Sequence, residues 1–464
     1  MKISCMFCLL VSMLCLGACS GGGSAGNPCE GVDCSNHGTC ESVGGEAHCN
    51  CEWGWKTSAD GKDCIPEDGD ACTGIDCSGH GDCRVDADEQ PYCVCDANYW
   101  PTEDQLDCID KNSCTVDCGD IGCCGTRCCR ALPSNSEYFG ELQQIGGTES
   151  ASGSFDTEED CTAGSKLGDC ETVDISGQTG VCVCRVDSLT ISSLTVTGPR
   201  LLAVLAWDSV SISGTLDISG RSDPGPGAAN QTPANSWLGG AGGSLGTAGG
   251  GSPGPRGDAR LVPLFGGENG QDGCGDRFGG GGAGGIQITA GESITVGGTI
   301  LALGGGGLGG AAGERPDKCS GGGGGGSGGA VLLESKTVTV TGAIWAHGGS
   351  GGGGGNSLGA SGGDGQDATA SMTPAQGGAG RDGAGCALQG NIEGGDGGDG
   401  AVGNNPGENG EDPDENQCPD PPSPYVAGGG GGGGSGRIRI NTLSGCSCNG
   451  TISPAYSPGV LQGG

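Results

Sequence analysis

Short segments in the second half of the chain alternate apolar and polar residues. Four of them share one pattern, and they occupy 187–198, 208–220, 292–304 and 336–348. Alternation with a period of two is typical of a β-strand with one buried face. The first copy lies about 21 residues before the second and lacks one residue. The last three segments align without a gap, so that Val210 coincides with Ile294 and Val338, and Gly214 with Gly298 and Gly342.

Another short apolar strand precedes each aligned segment, at 201–206, 286–289 and 330–334, and 436–442 starts a fifth repeat. A repeat of about 20 residues with short strands and Gly or Asp turns is typical of a parallel β-helix. One coil cannot bury its own apolar face, whereas stacked coils form a continuous core. The sequence therefore predicts a mainly β chain in which residues 188–445 form a right-handed parallel β-helix-like solenoid.

Long glycine-rich insertions separate the strands, at 221–285, 305–329 and 349–435. Glycine loses the most conformational entropy on ordering, which favours disordered loops. The alternative is a set of extended polyproline-II-like runs lying side by side, because only glycine lets backbones touch. Cysteines in the insertions favour partial order, since they pair only where something holds them together. The predicted bonds are Cys274–Cys319 and Cys386–Cys418.

The composition indicates a chain without a large conventional core. Its 464 residues include 109 Gly and 32 Cys, and only 3% are aromatic. Such a chain must be held by disulfides or by the stacking of repeats. The formal net charge of −36 excludes nucleic acid as a partner, because one polyanion repels another. It also argues against charge-driven binding to anionic lipid headgroups.

The N-terminus predicts export. A single Lys precedes an apolar run at 3–16, which is too short to span a bilayer and is typical of a signal peptide. The sequence LGAC at 16–19 resembles a bacterial lipobox. The resemblance implies that residues 1–18 are removed and that Cys19 is lipidated, and several acyl chains give a durable membrane anchor. An ordinary secretory signal is the alternative. Residues 19–28 comprise this cysteine and a flexible tether.

Two groups of six cysteines follow, at 29–64 and 72–108. The gaps are 4, 5, 8, 1 and 12 residues in the first group and 4, 5, 9, 1 and 12 in the second. Units this small cannot fold on apolar burial alone, so disulfides must replace a core. Spacing by itself leaves about 15 connectivities open in each group.

Both groups resemble EGF-like modules, most clearly in the sequence CNCEWGWKTSADGKDC at 49–64. The second group departs from the pattern, with Asn98 in the usual glycine position. The resemblance implies that the first cysteine pairs with the third, the second with the fourth and the fifth with the sixth. The implied bonds are Cys29–Cys40, Cys34–Cys49, Cys51–Cys64, Cys72–Cys83, Cys77–Cys93 and Cys95–Cys108.

A Cys-rich segment at 109–187 holds ten more cysteines. In an exported chain we expect disulfides there rather than zinc, because the segment contains no His. Their pairing stays open, and the segment is expected to cap the solenoid. A C-terminal tail at 446–464 begins with Cys446 and Cys448, which remain as a pair.

Two GGxGxD sequences, at 362–367 and 394–399, are candidate calcium sites. In RTX-type repeats this motif binds calcium, and tandem nine-residue copies each supply half of the coordination. Here the copies are 32 residues apart, so a solvated acidic loop is the alternative. The candidate ligands are Asp364, Asp367, Asp396 and Asp399, and no other cofactor is predicted.

Catalytic residues are hard to find in this sequence. There are four His, and His347 is expected at an outward position of the repeat without a partner. The solenoid contains Asp208, Asp217 and Glu292, but these carboxylates form no repeated column. We therefore expect no enzyme. A polysaccharide-active β-helix enzyme is the remaining alternative.

As an architecture, the chain resembles glycine-rich, EGF-bearing surface lipoproteins of Gram-negative bacteria. The resemblance implies a lipid-anchored protein of the outer membrane or cell surface. We expect a non-enzymatic role in structural or adhesive display, with an extracellular protein or polysaccharide as the partner. The alternative is a calcium- or glycan-binding adhesin whose site lies on the acidic glycine-rich loops.

Overall fold

The computed structural model describes most of the chain from residue 28 onward. The described residues are 28–29, 32, 34–36, 38–43, 46–51, 55–58, 61–62, 64–66, 72, 74–85, 90–96, 99–102, 105–110, 123–124, 127–128, 131–140, 142–175, 180–230, 239–273, 277–311, 321–356, 360–381, 394–413, 427–443 and 445–463. Cys19, Cys274, Cys319, Cys386 and Cys418 lie outside these residues, and so do the bonds predicted for the last four.

The first unit, Met1–Thr73, contains a small disulfide-linked module. Its elements are a 3-10 helix at Cys34–Asn36 and two antiparallel hairpins, β1 (Gly38–Val43) with β2 (Glu46–Cys51) and β3 (Trp55–Thr57) with β4 (Cys64–Pro66). Disulfides join Cys29 to Cys40 and Cys34 to Cys49, which is the pairing that the resemblance implies. Cys34, Cys49 and Cys64 are buried together, so sulfur atoms fill the place of an apolar core.

The second unit begins at Gly74 and opens with a similar module. A 3-10 helix at Cys77–Gly79 is followed by two antiparallel hairpins, β5 (Gly81–Val85) with β6 (Pro91–Cys95) and β7 (Tyr99–Pro101) with β8 (Cys108–Asp110). The bonds Cys77–Cys93 and Cys95–Cys108 are those implied. Cys64, Cys72 and Cys83 are also disulfide-bonded. The side chain of Cys51 lies outside the described part of the chain.

Short elements lead from this module into a large sheet. They are β9 (Cys123–Cys124), β10 (Arg127–Cys128), β11 (Ala131–Leu132) and the single-turn helix α1 (Ser136–Phe139). The strands of the sheet and tail then follow: β12 (Thr148–Asp156), β13 (Asp169–Val173), β14 (Val181–Thr197), β15 (Leu201–Asp217), β16 (Gly285–Val296), β17 (Thr299–Leu301), β18 (Ala330–Val340), β19 (Ala343–Trp345), β20 (Arg437–Thr442), β21 (Ser447–Cys448), β22 (Thr451–Ser453), β23 (Ser457–Val460) and β24 (Gln462–Gly463).

The large sheet has 12 strands and is parallel apart from β13, which pairs antiparallel with β14. Successive coils stack in two columns. One column runs β14-β15-β16-β18-β20-β23, and the other continues from β15 through β17 and β19 to β22. The sheet is curled and solenoid-like, which confirms the predicted parallel arrangement. Its register is also as predicted, since Val210 pairs with Ile294 and Ile294 with Val338.

The alternation within the strands produces two buried faces. The concave face collects apolar side chains from every coil, such as Val210, Ile294 and Val338, which are at most 1% exposed. The opposite face is covered locally by α1 and by part of the first insertion. Its cluster consists of Phe139, Leu142, Ile175, Val181, Val183, Leu201, Ala203, Leu205, Leu245, Leu261, Leu264, Ala330, Leu332 and Leu461. The first part of each long strand is therefore buried on both faces, whereas the second part keeps one face exposed.

The sheet extends beyond the range 188–445 that the repeat predicts. It starts earlier, with β12 from the Cys-rich segment, and ends later, with β22 and β23 from the C-terminal tail. These strands escape the pattern because β12 reads TESASGSFD, with few apolar residues, and β23 contains a Pro. The Cys-rich segment thus supplies the first coil.

Three more disulfides lie in this unit. The sequence left the pairing of the first two open and gave the third only as the pair of cysteines that remained. Cys161 pairs with Cys182, and Cys170 pairs with Cys184. Both bonds tie the segment between β12 and β13, or β13 itself, to the start of β14. Cys446 pairs with Cys448 at the end of the solenoid.

The described parts of the three insertions form a bundle of extended glycine-rich runs. In the run 321–329, successive backbone N–H groups donate to three different neighbouring runs in rotation. Gly322, Gly325 and Gly328 donate to the carbonyls of Gly428, Gly431 and Gly434; Gly323 and Gly326 to those of Leu308 and Gly305; Gly324 and Ser327 to those of Gln271 and Glu268. Every third residue returns to the same neighbour, which is the three-residue turn of a polyproline-II-like helix.

Glycine is required in this bundle because the backbones touch. At Gly325, an ideal Cβ would lie 2.2 Å from the carbonyl oxygen of Gly349. Real Cβ atoms do not approach so closely, so any larger residue would separate the two runs. Of the two alternatives for the insertions, the described parts follow the extended one, and the hydrogen bonds to neighbours offset the entropy that glycine loses.

Candidate functional site

The four aspartates proposed as calcium ligands hold the edges of the bundle. The Oδ1 atoms of Asp364 and Asp367 accept the backbone N–H groups of Gly309 and Gly306, each at 2.9 Å. In the second motif, Asp396 accepts the N–H of Gly380 at 2.6 Å, and Asp399 accepts that of Gly377 at 2.8 Å. The spacing of three within each motif matches the three-residue turn of the run. The GGxGxD pattern therefore supplies side-chain acceptors where a neighbouring backbone carbonyl is missing.

The described residues form three clusters of possible metal ligands. Among the described residues, every group of three or more His, Cys, Asp or Glu ligands within 4.8 Å of one another consists of cysteines. These cysteines are disulfide-bonded. The structure therefore places Asp364, Asp367, Asp396 and Asp399 in no such group within the described part of the chain.

His347 is buried, and the expectation that it has no partner was wrong. It is 1% exposed, and its Nε2 atom lies 2.7 Å from the Oγ of Ser453. The equivalent Leu303 is buried as well. The reason is the third insertion, whose backbone at Thr369 and Ser371 faces the imidazole. Burial lowers the pKa of His347 below its usual value, and these backbone groups oppose the shift.

The carboxylates considered for an enzyme have separate local roles. Glu292 forms an ion pair with Lys336 at 2.9 Å, on neighbouring coils. Asp217 accepts the backbone N–H of Ser219 at 3.0 Å. Asp208 is exposed on β15. This arrangement offers a stabilising pair and a turn contact, rather than two carboxylates facing one substrate.

A buried carboxylate that sequence reasoning missed lies on the convex side of the sheet. Glu334 is 0% exposed and accepts hydrogen bonds from Gln287 Nε2 at 2.8 Å, Thr289 Oγ1 at 2.9 Å and Asn441 Nδ2 at 2.8 Å. The backbone N–H of Ser134 donates to it at 3.0 Å, and the Ser134 hydroxyl donates as well. Buried charge is tolerated where hydrogen bonds surround it. The network fastens residues around α1 to three adjacent strands, which is a structural role.

A groove on the bundle is lined by several polar side chains. Its volume is about 810 Å³, within the roughly 300–1,000 Å³ of ligand pockets. The segment 248–252 forms one wall and 399–409 the other, with Pro374 at one end. Its polar side chains are Ser252, Asp399, Asn405, Glu408 and Asn409. The sequence signal for this site is GNNPGENGED at 403–412, where polar residues interrupt the glycine.

Hydrogen bonds hold the groove in shape. Asn409 accepts the backbone N–H of Gly251 at 2.7 Å, which joins the two walls. The hydroxyl of Thr247 donates to the carbonyl of Asn405 at 3.2 Å. Asp399 is fixed on both oxygens, because Oδ1 accepts Gly377 N and Oδ2 accepts Gln376 Nε2 at 3.0 Å. The arrangement can bind a polar ligand by hydrogen bonds without first reordering its walls.

Comparisons with known proteins assign no family to this architecture. No protein-family model matches the chain, and no curated protein or solved structure matches it either. Among the described residues, no helix has the length and apolar character needed to cross a membrane. Function is therefore inferred from the residues of this chain alone.

Proposed function

We propose that this protein is a lipid-anchored display protein of the bacterial outer membrane or cell surface that works by adhesion, without enzymatic activity. In this proposal residues 1–18 are a lipoprotein signal and Cys19 carries the acyl chains. Two EGF-like modules, at 29–64 and 72–108, precede a right-handed β-helix-like solenoid that bears the glycine-rich bundle. The partner is an extracellular protein or a polysaccharide.

The glycine-rich bundle is the observation that carries this proposal. Runs from all three insertions hydrogen-bond to one another, and most of their described glycines are buried. Ordering so many glycines costs much conformational entropy. The hydrogen bonds that offset this cost hold the bundle in one conformation, so the bundle is a stiff surface. A preorganised surface loses less entropy when it binds a partner. Rigid presentation of the edge loops therefore favours a binding role.

The local roles of the ionisable residues support a non-enzymatic protein. His347 is buried against Ser453 and does not line the groove at 248–252 and 399–409. Glu292 is neutralised by Lys336 on the next coil. Acid–base catalysis needs such groups within reach of one bound substrate, and these groups are spread over separate parts of the solenoid.

Lipidation is tested in bacterial cells that produce the full chain in radiolabelled palmitate. We expect the label in the protein, and we expect a Cys19→Ser variant to lose both the label and the membrane fraction. Cys15→Ser is the matched control, since it alters a cysteine of the same signal and should keep both. Palmitate that persists in the Cys19→Ser variant would show that this residue is not the anchor.

Adhesion is tested with beads coated with residues 20–464, a soluble form without the signal and the lipidated cysteine, on surfaces of polysaccharides and extracellular-matrix proteins. We expect retention on at least one surface and its loss in a Gly325→Val variant, which forces two runs apart. Gly297→Ala is the control, because a Cβ there meets its nearest atom at 3.8 Å. Retention on none of the surfaces, or turnover of any polysaccharide, would contradict the proposal.

A further inference from the structure

The groove between 248–252 and 399–409 has a floor that consists largely of glycine backbone. Glycines at positions 249, 251, 400 and 407 line it. A Cβ on Gly249, Gly400 or Gly407 would point into a neighbouring run, within 2.1–2.4 Å of a backbone carbonyl oxygen, so bare backbone faces the groove. A flat ligand ring can then lie directly against the backbone. Pro374, Pro406 and Val402 add aliphatic C–H surface at its sides.

The rim supplies the donors and acceptors. Glu408 and Asn405 are exposed, and no hydrogen bond ties their side chains within the described part of the chain. The Oδ1 atom of Asn409 accepts the backbone N–H of Gly251, and its Nδ2 amide carries two hydrogen-bond donors. A carboxylate beside primary amides offers paired acceptors and donors, and neighbouring hydroxyl groups of a pyranose ring match such pairs.

We infer that this groove is the binding site of the adhesin proposed above and that its ligand is a neutral carbohydrate. Two observations select the charge of the ligand. The groove residues include no Lys or Arg, whereas Asp399 and Glu408 are both acidic. The whole chain carries a formal charge of −36. Sulfated glycans and glycans rich in uronic acid are therefore repelled. The inference rests on the proposed adhesive function and specifies its ligand.

Binding is measured by calorimetry with a soluble form, residues 20–464, which lacks the signal and the lipidated cysteine. The probes are neutral oligosaccharides of glucose, galactose and mannose, with sulfated and uronic-acid oligosaccharides for comparison. We expect a neutral probe to bind and the anionic probes not to bind. Because both replaced side chains lose their hydrogen bonds to the ligand, the double variant Asn405→Ala, Glu408→Ala should raise Kd by about tenfold or more.

Matched controls come from the same run. Asn404 and Glu411 are exposed like Asn405 and Glu408 but do not line the groove. The double variant Asn404→Ala, Glu411→Ala should bind as the wild type does. Preference for anionic probes, absence of heat with every neutral probe, or equal loss in both double variants would overturn the inference.

The bead assay separates this inference from the proposed function. If wild-type beads adhere and the groove variant adheres equally well, the groove assignment fails while adhesion stands. If wild-type beads adhere to no surface, the proposed function itself fails. The binding measurement is repeated with EDTA to test whether calcium takes part. If EDTA abolishes the binding of neutral sugars, direct recognition by these side chains is contradicted.

Discussion

Gly298 shows how one residue fixes the spacing between coils. An ideal Cβ on Gly298 would lie 1.9 Å from the carbonyl oxygen of Gly214, and one on Gly342 would lie 1.8 Å from that of Gly298. The column continues to Gly450, where a Cβ would lie 2.1 Å from the oxygen of Gly342. At the adjacent Gly297 the nearest atom is 3.8 Å away. Two neighbouring glycines of one turn therefore have opposite tolerance for a side chain.

Gly298→Ala is expected to destabilise the protein, and Gly297→Ala is its control. The added methyl would collide with backbone on the next coil, and overpacking of this kind costs about 1–3 kcal/mol or more. At Gly297 a methyl makes an ordinary contact, so the free energy of unfolding should change by less than about 1 kcal/mol. Urea denaturation of the two variants measures the difference. Equal stabilities would show that the coils separate freely at this turn.

His347 predicts a loss of stability in mild acid. Its pKa is lowered by burial in the folded protein, so the unfolded chain, with the usual value near 6.5, takes up a proton first. Stability at this site is complete above about pH 6.5 and falls as the pH drops from there toward the folded pKa. We expect the Tm to decrease between pH 7.5 and 5.5, and to decrease less in a His347→Gln variant. An identical decrease in both proteins would exclude His347 as the cause.

At the scale of elements, the strands were largely predictable from sequence and the insertions were not. The positions Val210, Ile294 and Val338 carry a period of two, and the structure pairs them as the alignment indicates. Glycine runs have no alternation of apolar and polar residues from which their structure could be predicted, because each run is ordered by hydrogen bonds to carbonyls of other runs. β12 was missed for a related reason. Its polar sequence does not predict a strand, and its backbone hydrogen bonds to β14 hold it in the extended conformation.

The candidate sites follow the same division. The spacing of Asp364 and Asp367 was visible in the sequence, but their role as acceptors for the run at 306–309 requires the bundle. The burial of His347 was missed because the insertion that covers it has no local signal. The polar stretch at 403–412 indicates only one wall of the groove, and the sequence does not show that 248–252, about 150 residues earlier, forms the other.

Asp364 provides a test of edge capping against calcium binding. Replacement by Ala leaves the part-buried N–H of Gly309 without its acceptor, at a cost of about 1 kcal/mol. Asp364→Asn keeps an acceptor oxygen and should cost less than half as much. Thermal unfolding with calcium and with EDTA measures both effects. A calcium-dependent rise in Tm that either variant abolishes would instead identify Asp364 as a ligand.

At the scale of the whole second unit, sheet and bundle depend on each other. The insertions leave the stack at coil ends such as Gly304, which donates to the carbonyl of His347, and the coils continue in register across them. Residues around α1 close the convex side through Glu334. Long-range hydrogen bonds of this kind make the unit cooperative, so local crosslinks should affect the unfolding of the whole.

The two kinds of disulfide in this unit give the last prediction. Cys161 and Cys182 are 21 residues apart, whereas Cys446 and Cys448 are two apart. A crosslink restricts the unfolded chain more when its loop is longer, which gives about 3.4 kcal/mol for the first bond and about 1.6 kcal/mol for the second. The variant Cys161→Ala, Cys182→Ala should therefore unfold at clearly lower urea than Cys446→Ala, Cys448→Ala, with both proteins folded under oxidising conditions. Both pairs contact the core, but Cys182 is fully buried whereas Cys446 and Cys448 are only partly buried, so lost packing adds to the cost of removing the first pair. If the C-terminal pair proves equally costly, that bond holds the end of the solenoid by native contacts rather than by restricting the unfolded chain.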